Sequence, residues 1–373
     1  MGLEGDLRIG LRVRDARVER IGITSTRPDV ARSLLQGRTR AEAVAAVPQL
    51  FSICAHSQAA ASALACAAAA GEAASADRLA NDAASVCAEM VREYAWRALL
   101  DTPQEIDETP GDDAIAAARA SLAFHCTAPV GPHTSDVAHT IALAAFGVGA
   151  DDWLALGSMR ELDRWADAGQ TASARFIRKV RDDDAAKGGR GPDDRVDDPA
   201  LLNGQHHAAW IGELAEACAA DPEFVRLPTW CGAPAETGAL ARLQSDPLIG
   251  EILRGSSSRV PARFVARLRE LALLLAGRST ALVGAKTLPS GGGIAWVENA
   301  RGLLIHQVRL DQDRVRNYRI VAPTEWNFHP GGALASALLG IAATDLDAAQ
   351  RYAMRVVNSL DPCVECHVEF DHA

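Results

Sequence analysis

Two cysteines near the end of the chain, Cys363 and Cys366, are spaced so that both sulfurs can face one metal ion. They lie in the run DPCVECHVEFD, in which several carboxylates surround them. Negative charge disfavours thiolates, so we expect the empty pair to be largely protonated and to ionise when a cation binds. The pattern therefore favours metal capture over redox chemistry.

Two other metal groups are compatible with this motif. CVECH also spells the haem-attachment pattern, with His367 as axial ligand, but covalent attachment normally requires export and MGLEGDLRIG lacks the layout of a signal peptide. A structural zinc needs further ligands, for which His367, His372 and Cys54 are available. The residues alone leave both alternatives open.

Several other segments, together with this pair, resemble the large subunit of nickel-iron hydrogenases. ENARGLLIH, NYRIVAPTEWN and VVNSLDPCVEC follow one another in the order and approximate spacing of the closing third of that family. LLQGRTRAEAVAAVPQLFSICAHS is similar to the segment that leads to its first cysteine pair, and AETGALARL and LEGDLRI are similar to two further stretches. The resemblance touches both ends and the middle of the chain.

In that family, two CxxC pairs bind nickel and an iron that carries cyanide and carbon monoxide. The resemblance implies that Cys363 and Cys366 are the second pair and that Cys54 is the first cysteine of the other pair, whereas Ser57 stands at a bridging position. A serine hydroxyl is a poorer ligand than a thiolate, so a stable nickel-iron centre is not expected. We predict an iron site formed by the three cysteines, without nickel.

The resemblance further implies which residues contact the diatomic ligands of the iron. Arg301 and Thr324 match an arginine and a serine or threonine that donate hydrogen bonds to the two cyanides in the family. A guanidinium is a rigid, permanently charged fork of donors, which suits an anionic ligand in a dry pocket. The residues alone also allow a solvated edge charge for Arg301 and a turn-capping role for Thr324. Alongside the cysteines, His56 or His367 could complete the iron shell.

Other departures from the hydrogenase pattern concern its chemistry and its processing. Ser52 and Ala61 replace an arginine and a histidine near the first pair, and Glu369 stands where the family has a metal-binding histidine. The sequence ends at Ala373, so we expect no tail for a protease to remove. Glu4 matches a proton-carrying glutamate, and we interpret it as a solvated strand-end acid.

These features together are similar to the HupK/HoxV-type hydrogenase assembly proteins. The resemblance implies a maturation scaffold, without catalytic residues, that transiently holds an Fe(CN)2(CO) unit and passes it to the nickel-iron hydrogenase large subunit precursor. The implied partners are the HypC/HypD-type maturation complex and that precursor. A divergent hydrogenase with catalytic activity and a zinc-binding structural or adaptor protein are the alternatives.

Composition limits the partners and the location. The formal net charge of -10, with both signs scattered, offers no basic stripe for nucleic acid or anionic lipid. The Ala-rich run from Ala59 to Ala70 is shorter than the ~18 residues of a membrane span. We predict a cytoplasmic protein that binds no nucleic acid and is not inserted in a membrane. The remaining cysteines are expected to be mostly buried, inert thiols: Cys66, Cys87, Cys126, Cys218 and Cys231.

The hydrophobic pattern predicts an α+β fold that is mostly helical, and the resemblance implies a single hydrogenase-large-subunit-like domain over residues 1–373. Residues 6–24 alternate apolar and polar side chains around an Asp-Ala turn, which predicts an antiparallel ribbon near the N-terminus. Two or three further antiparallel strands are predicted at about 290–322. Helical patterns fill most of the rest, and the charged, Gly- and Pro-rich segment 181–199 predicts a mobile surface loop.

Overall fold

The computed structural model describes residues 5–26, 30–51, 53–126, 136–186, 198–279, 281–289 and 291–372. Contacts between residues group the chain into two compact units. The first, which we call the site unit, consists of Met1–Ser75, Asp194–Ala241 and Leu282–Ala373. The second, the helical unit, consists of Ala76–Asp193 and Arg242–Ala281. A single domain over 1–373 stays a prediction.

The β-strands of the described residues belong to the site unit. They are β1 (Asp6–Arg14), β2 (Arg17–Ser25), β3 (Ala200–Leu201), β4 (Ala235–Glu236), β5 (Val283–Thr287), β6 (Gly293–Asn299), β7 (Gly302–Asp311), β8 (Arg314–Val321) and β9 (Glu365–His372). One sheet has the order β2-β1-β9, in which β1 is antiparallel to β2 and parallel to β9. The strands β5-β6-β7-β8 form an antiparallel meander, and β3 pairs with β4 in parallel.

Helices make up most of the regular structure. They are α1 (Val30–Leu35), α2 (Arg40–Leu50), α3 (Ala55–Ala69), α4 (Ala76–Trp96), α5 (Thr102–Gln104), α6 (Asp112–Ser121), α7 (Asp136–Phe146), α8 (Ala150–Leu154), α9 (Met159–Ala168), α10 (Ala172–Ala186), α11 (Gly204–Ala220), α12 (Ala239–Arg242), α13 (Pro247–Gly255), α14 (Val260–Leu275), α15 (Pro323–Asn327), α16 (Ala333–Leu338) and α17 (Leu346–Leu360). A π-helical turn, Arg97–Asp101, follows α4, and a 3-10 turn spans Pro222–Val225. Among the described residues, no helix is both long enough and apolar enough to cross a bilayer.

The α+β, mostly helical fold is confirmed, and so are both strand regions. The N-terminal ribbon turns at Asp15 and Ala16, which both have positive φ. The strands predicted at about 290–322 are β6, β7 and β8, to which β5 adds a fourth. In the segment 181–199, the residues up to Ala186 are the end of α10 rather than loop, and residues 187–197 lie outside the described ranges.

Helix α3 packs unusually close to one face of the four-stranded sheet. A Cβ atom added at Gly293 would lie 2.3 Å from the backbone nitrogen of Ala69 and 2.4 Å from the carbonyl oxygen of Ala65. The Thr287 hydroxyl also donates a hydrogen bond of 2.8 Å to the Ala68 carbonyl. Small residues on the helix and a glycine on the strand therefore allow the two backbones to meet, and this contact holds the C-terminal part of α3 against the sheet.

The opposite face of the same sheet is covered by α11 and aromatic side chains. Alternation along β6 and β7 points Ile294 and Ile305 to this face, where they pack with Trp210, Leu214 and Trp326. The sheet is therefore buried on both faces, which explains the near-continuous apolar sequence of β6 and β7.

The helical unit has its own core around α14, which is buried along almost its whole length. Glu270 of this helix accepts hydrogen bonds of 2.6 Å from the Arg242 guanidinium and one from the Tyr94 hydroxyl. Arg269 donates to Asp246 at 2.7 Å. Glu270 and Arg269 are thus both paired with an opposite charge, as the burial of a charged group requires.

The contact at Gly293 can be tested by adding one methyl group. Gly293→Ala should lower the free energy of unfolding by roughly 1–3 kcal/mol, because the methyl group meets helix backbone that cannot move aside alone. Gly22→Ala, on a strand position with no atom within 4 Å of the added Cβ, is the matched control and should change it by about 0.5 kcal/mol or less. Urea unfolding followed by circular dichroism measures both, and equal stabilities would contradict the packing.

Candidate metal centre

The C-terminal cysteine pair lies where α17 gives way to β9. Asp361 ends the helix in the left-handed conformation, with φ 50° and ψ 65°, and Pro362 then prevents the helix from continuing. Cys363 lies in the short turn that follows and Cys366 on β9, and both are half-buried. The pair therefore joins a turn and a strand rather than one helical turn.

The strand conformation of β9 separates its side chains onto two faces. Cys366, Val368 and Phe370 alternate with more exposed residues on the other face, namely Glu365, His367, Glu369 and Asp371. His367 therefore points away from Cys366, and its Nε2 lies 4.0 Å from Asp6 Oδ2 and 3.8 Å from Glu365 Oε1. The structure does not bring His367 together with the neighbouring sulfur.

The Cys366 thiol is held in its protonated form. Burial raises its pKa to about 12, and Cys363 and Glu365 add to the rise. The thiol donates to the Val364 carbonyl at 3.6 Å. Cys366 is therefore protonated in the empty pair, as the sequence predicts. The larger cause of its raised pKa is burial and not the surrounding carboxylates, most of which face away.

Thr324 contacts the cysteine pair directly. It lies in the first turn of α15, is 3% exposed, and its hydroxyl oxygen is 3.1 Å from Cys363 Sγ. The same oxygen accepts a hydrogen bond of 3.4 Å from the Cys363 backbone N–H. Since a hydroxyl can accept and donate at once, its own proton is available to the sulfur or to a ligand beside it.

Arg301 lies in the turn between β6 and β7, and its side chain is buried. Its Nε is 3.9 Å from Asp361 Oδ2, a distance of an ion pair rather than of a hydrogen bond, and both side chains are nearly inaccessible. A solvated edge charge is therefore excluded. Arg301 and Thr324 thus both contact the segment that carries Cys363, through Asp361 and Cys363 respectively. Their contact with diatomic ligands stays a prediction.

The backbone of this turn is fixed by side chains from three separate segments. Asn299 Oδ1 accepts from the N–H groups of Arg301 and Gly302 at 3.0 and 3.1 Å. Asn327 donates to the Arg301 carbonyl at 3.3 Å and accepts from the Thr237 N–H at 2.9 Å. Gly302 has a φ of 132°, and a Cβ there would lie 2.6 Å from the Thr237 side chain. Sequence reasoning did not assign roles to Asn299 and Thr237.

Cys54 is the N-cap of α3 and is half-buried. The Gln58 side-chain N–H donates to its sulfur at 3.7 Å. Ser57, which stands at the bridging position, is fully buried on the same helix, whereas His56 is exposed. The predicted roles of Ser52 and Glu4 lie outside the described residues.

The three predicted cysteine ligands do not form a ready-made cluster. Within the described ranges, no three His, Cys, Asp or Glu side chains come close enough together to hold a metal ion. A shared ligand set of Cys54, Cys363 and Cys366 stays a prediction, and it requires that the sulfurs move closer when metal binds.

The other cysteines mostly follow the prediction of buried thiols. Cys66, Cys87 and Cys218 are buried, and burial raises the pKa of both Cys66 and Cys218 to about 11. Cys126 is half-buried. Cys231 is exposed in a turn with a φ of 51°, so the expectation of a buried thiol is wrong there.

Sequence reasoning missed a buried polar row beside Cys54. Gln58 on α3 contacts His306 on β7, which in turn contacts Tyr318 on β8. Burial lowers the pKa of His306 to about 3 and raises the pKa of Tyr318 well above its ordinary value. Gln58 and His306 are 248 residues apart, and no local pattern in the sequence signals their contact.

Several solved structures with the same fold are hydrogenases. The chain superposes on the Ni-Fe-Se hydrogenase from D. vulgaris Hildenborough with a TM-score of 0.56 at 16% identity, covering 94% of both chains. The corresponding values for the Ni-Fe-Se hydrogenase from Desulfomicrobium baculatum are 0.55 and 15%, with 95% of both chains covered. The family model described as Nickel-dependent hydrogenase matches residues 273–369. The fold is therefore that of the nickel-iron hydrogenase large subunit class.

Closer relatives define the family within that class. The hydrogenase expression/formation protein HoxV of Cupriavidus necator is 32% identical, over 94% of this chain and 92% of that protein. The hydrogenase expression/formation protein HupK of Rhizobium leguminosarum bv. viciae is 30% identical, over 99% of this chain and 97% of that protein. The chain belongs to the HoxV/HupK family of hydrogenase expression/formation proteins.

The buried histidine predicts how stability depends on pH. Because the pKa of His306 is lowered from 6.5 to about 3 on folding, the unfolded chain binds the extra proton first, and the free energy of unfolding falls as the pH drops below about 6.5. Between pH 7 and pH 5 this one group should cost about 2 kcal/mol. His306→Gln should flatten that part of the curve in urea unfolding measured at several pH values. Parallel curves for the two proteins would contradict a buried neutral histidine.

Proposed function

We propose that this protein is a hydrogenase maturation scaffold that holds an Fe(CN)2(CO) unit as cargo and passes it to the nickel-iron hydrogenase large subunit precursor. The observation that carries the proposal is the meeting of Thr324 with Cys363 and of Arg301 with Asp361 at the end of α17. The short segment from Asp361 to Cys366 thus combines two sulfur donors with a neighbouring hydroxyl and a buried cation. The relatives are hydrogenase expression/formation proteins, which supports the same proposal.

The donor set suits iron that arrives with diatomic ligands already bound. The two cyanides and the carbonyl occupy part of the iron shell, so few protein ligands are needed. Cys363 and Cys366 supply two thiolates, and Cys54 approaches as the third. Arg301 and Thr324 then donate to the cyanides, where the guanidinium charge offsets the negative charge of the cargo. No nickel is expected.

Transfer of the cargo is a ligand exchange without a change of oxidation state. The iron–sulfur bonds to Cys363 and Cys366 break while bonds to thiolates of the precursor form. The protons that leave the precursor thiols protonate the vacated cysteines, so the exchange is balanced. Ser57 offers no bridging thiolate, which leaves fewer bonds to break.

The partners follow from the two ends of this exchange. A HypC/HypD-type maturation complex delivers the unit, and the hydrogenase large subunit precursor receives it. Both steps take place in the cytoplasm in this proposal, before the precursor is complete.

Infrared spectroscopy tests the proposal on the full-length protein, purified anaerobically from cells with an active maturation system. Cyanide and carbonyl stretching bands should appear together with iron and without nickel. Cys363→Ala and Cys366→Ala should lose the bands, whereas Cys231→Ala, at an exposed cysteine, should keep them. An intact preparation without bands would sink the proposal.

The same preparation separates the alternatives. Stoichiometric nickel with hydrogen-dependent dye reduction, lost in Cys363→Ala, would replace the proposal with a divergent hydrogenase. Zinc in the metal analysis, with normal hydrogenase maturation in cells that carry Cys366→Ser, would replace it with an adaptor.

The role of the buried cation has its own prediction. Arg301→Met should lower the bound iron about tenfold or more, because loss of a buried contact to a charged group costs about 2 kcal/mol or more. Arg269→Met removes a similarly buried Arg–Asp pair from the helical unit and is the matched control. Iron per folded protein, with folding checked by circular dichroism, is the readout. Equal iron content in both variants would exclude a role of Arg301 in holding the cargo.

A further inference from the structure

The buried polar row beside Cys54 is continuous over four residues. The Gln58 side-chain nitrogen lies 3.7 Å from Cys54 Sγ, and its side-chain oxygen lies 2.9 Å from His306 Nε2. His306 Nδ1 lies 2.8 Å from the Tyr318 hydroxyl. Gln58, His306 and Tyr318 are 1%, 0% and 2% exposed, so water does not share these contacts.

The direction of each hydrogen bond in the row is determined by chemistry. A side-chain amide oxygen only accepts, so His306 Nε2 must be the donor to Gln58. Burial lowers the pKa of His306, so the ring is neutral and carries a single N–H, which leaves Nδ1 as an acceptor. The Tyr318 O–H therefore donates to Nδ1, and the Gln58 N–H donates to Cys54.

All these donors point toward the sulfur. The Gln58 oxygen is already engaged by His306, so the amide can offer Cys54 only an N–H group. A thiolate or a metal-bound sulfur is a better acceptor for that N–H than a neutral thiol. Cys54 also caps the N-terminus of α3, where the helix dipole favours negative charge on the sulfur.

We propose that Gln58, His306 and Tyr318 are positioning residues that present one fixed N–H donor to Cys54 and hold its sulfur ready as a ligand for the iron cargo. This inference rests on the proposed function only for the identity of the group that the Cys54 sulfur binds. The direction of the row, by contrast, is a property of the protein without cargo. The two can therefore fail separately.

The direction is tested first, on the full-length protein without cargo. In nitrogen NMR of 15N-histidine-labelled protein, the ring signal that is lost in His306→Gln should be that of a neutral ring protonated at Nε2. A ring protonated at Nδ1 would reverse the row and overturn the inference, whatever the protein carries.

The effect on the cargo is tested by infrared spectroscopy of loaded protein. Loss of an N–H donor to a ligating sulfur increases the electron density on iron, so Gln58→Met should move the carbonyl band to lower frequency or abolish loading. Tyr318 is separated from the Cys54 sulfur by Gln58 and His306. Tyr318→Phe should therefore move the carbonyl band in the same direction by a smaller amount. It also keeps the test valid if Gln58→Met does not fold.

A matched control distinguishes this role from simple support of the core. Gln307 is a buried glutamine on the same strand as His306 that faces the other side of the sheet and donates to the Ala215 carbonyl at 2.9 Å. Gln307→Met should keep the wild-type carbonyl band. Wild-type bands in folded, loaded Gln58→Met and Tyr318→Phe would overturn the inference. Absence of bands in the unmodified protein would instead count against the proposed function, while the NMR result would stand.

Discussion

Burial of Arg301 beside Asp361 is the constraint on which the rest of the site depends. Removing a guanidinium and a carboxylate from water costs several kcal/mol for each ion unless both are held in place. The turn that carries Arg301 is accordingly fixed by Asn299 and Asn327. Asp361 follows the last residue of α17 in the left-handed conformation, which brings its carboxylate to the guanidinium. Since Cys363 follows almost at once, the ion pair also decides where the first sulfur of the pair lies.

The sheet that joins the two ends of the chain decides which side chains share the site with that sulfur. Parallel pairing of β9 with β1 sets the register Leu7 to Cys366 and forces strict alternation along the strand. The sulfur of Cys366 turns inward, where burial keeps it protonated, and the carboxylates of β9 and His367 turn outward. A motif that in the sequence looks like a cluster of sulfur, imidazole and carboxylate ligands is thus divided by the pleat.

Much of this could be predicted from the sequence, because family motifs in the right order fix which residues meet. The order of the motifs predicts that Arg301, Thr324 and Cys363 share one site, and in the structure Thr324 contacts Cys363 while Arg301 lies beside Asp361. The alternation of Cys366, Val368 and Phe370 is typical of a strand. Sequence reasoning interpreted these residues only as a metal-binding motif and did not predict β9. The contact of Gln58 with His306 could not be predicted, since it depends on how closely α3 approaches the sheet at Gly293. Nor does the sequence tell that Cys231 faces solvent.

The fold is shared with hydrogenases at 16% identity, so the fold by itself does not decide between catalysis and assembly. In the proposed function, the ligand set makes the difference. A catalytic centre must retain its metals through many turnovers, whereas a carrier must bind its cargo and then lose it to a competing set of thiolates. Replacing a bridging sulfur with the buried hydroxyl of Ser57 removes one strong bond. Among the described residues the sulfurs are not gathered in one cluster, so binding the iron also costs the free energy of moving them together. In the proposed function both features weaken retention of the cargo, while Arg301 and Thr324 would still recognise its cyanides, and this is the balance that transfer requires.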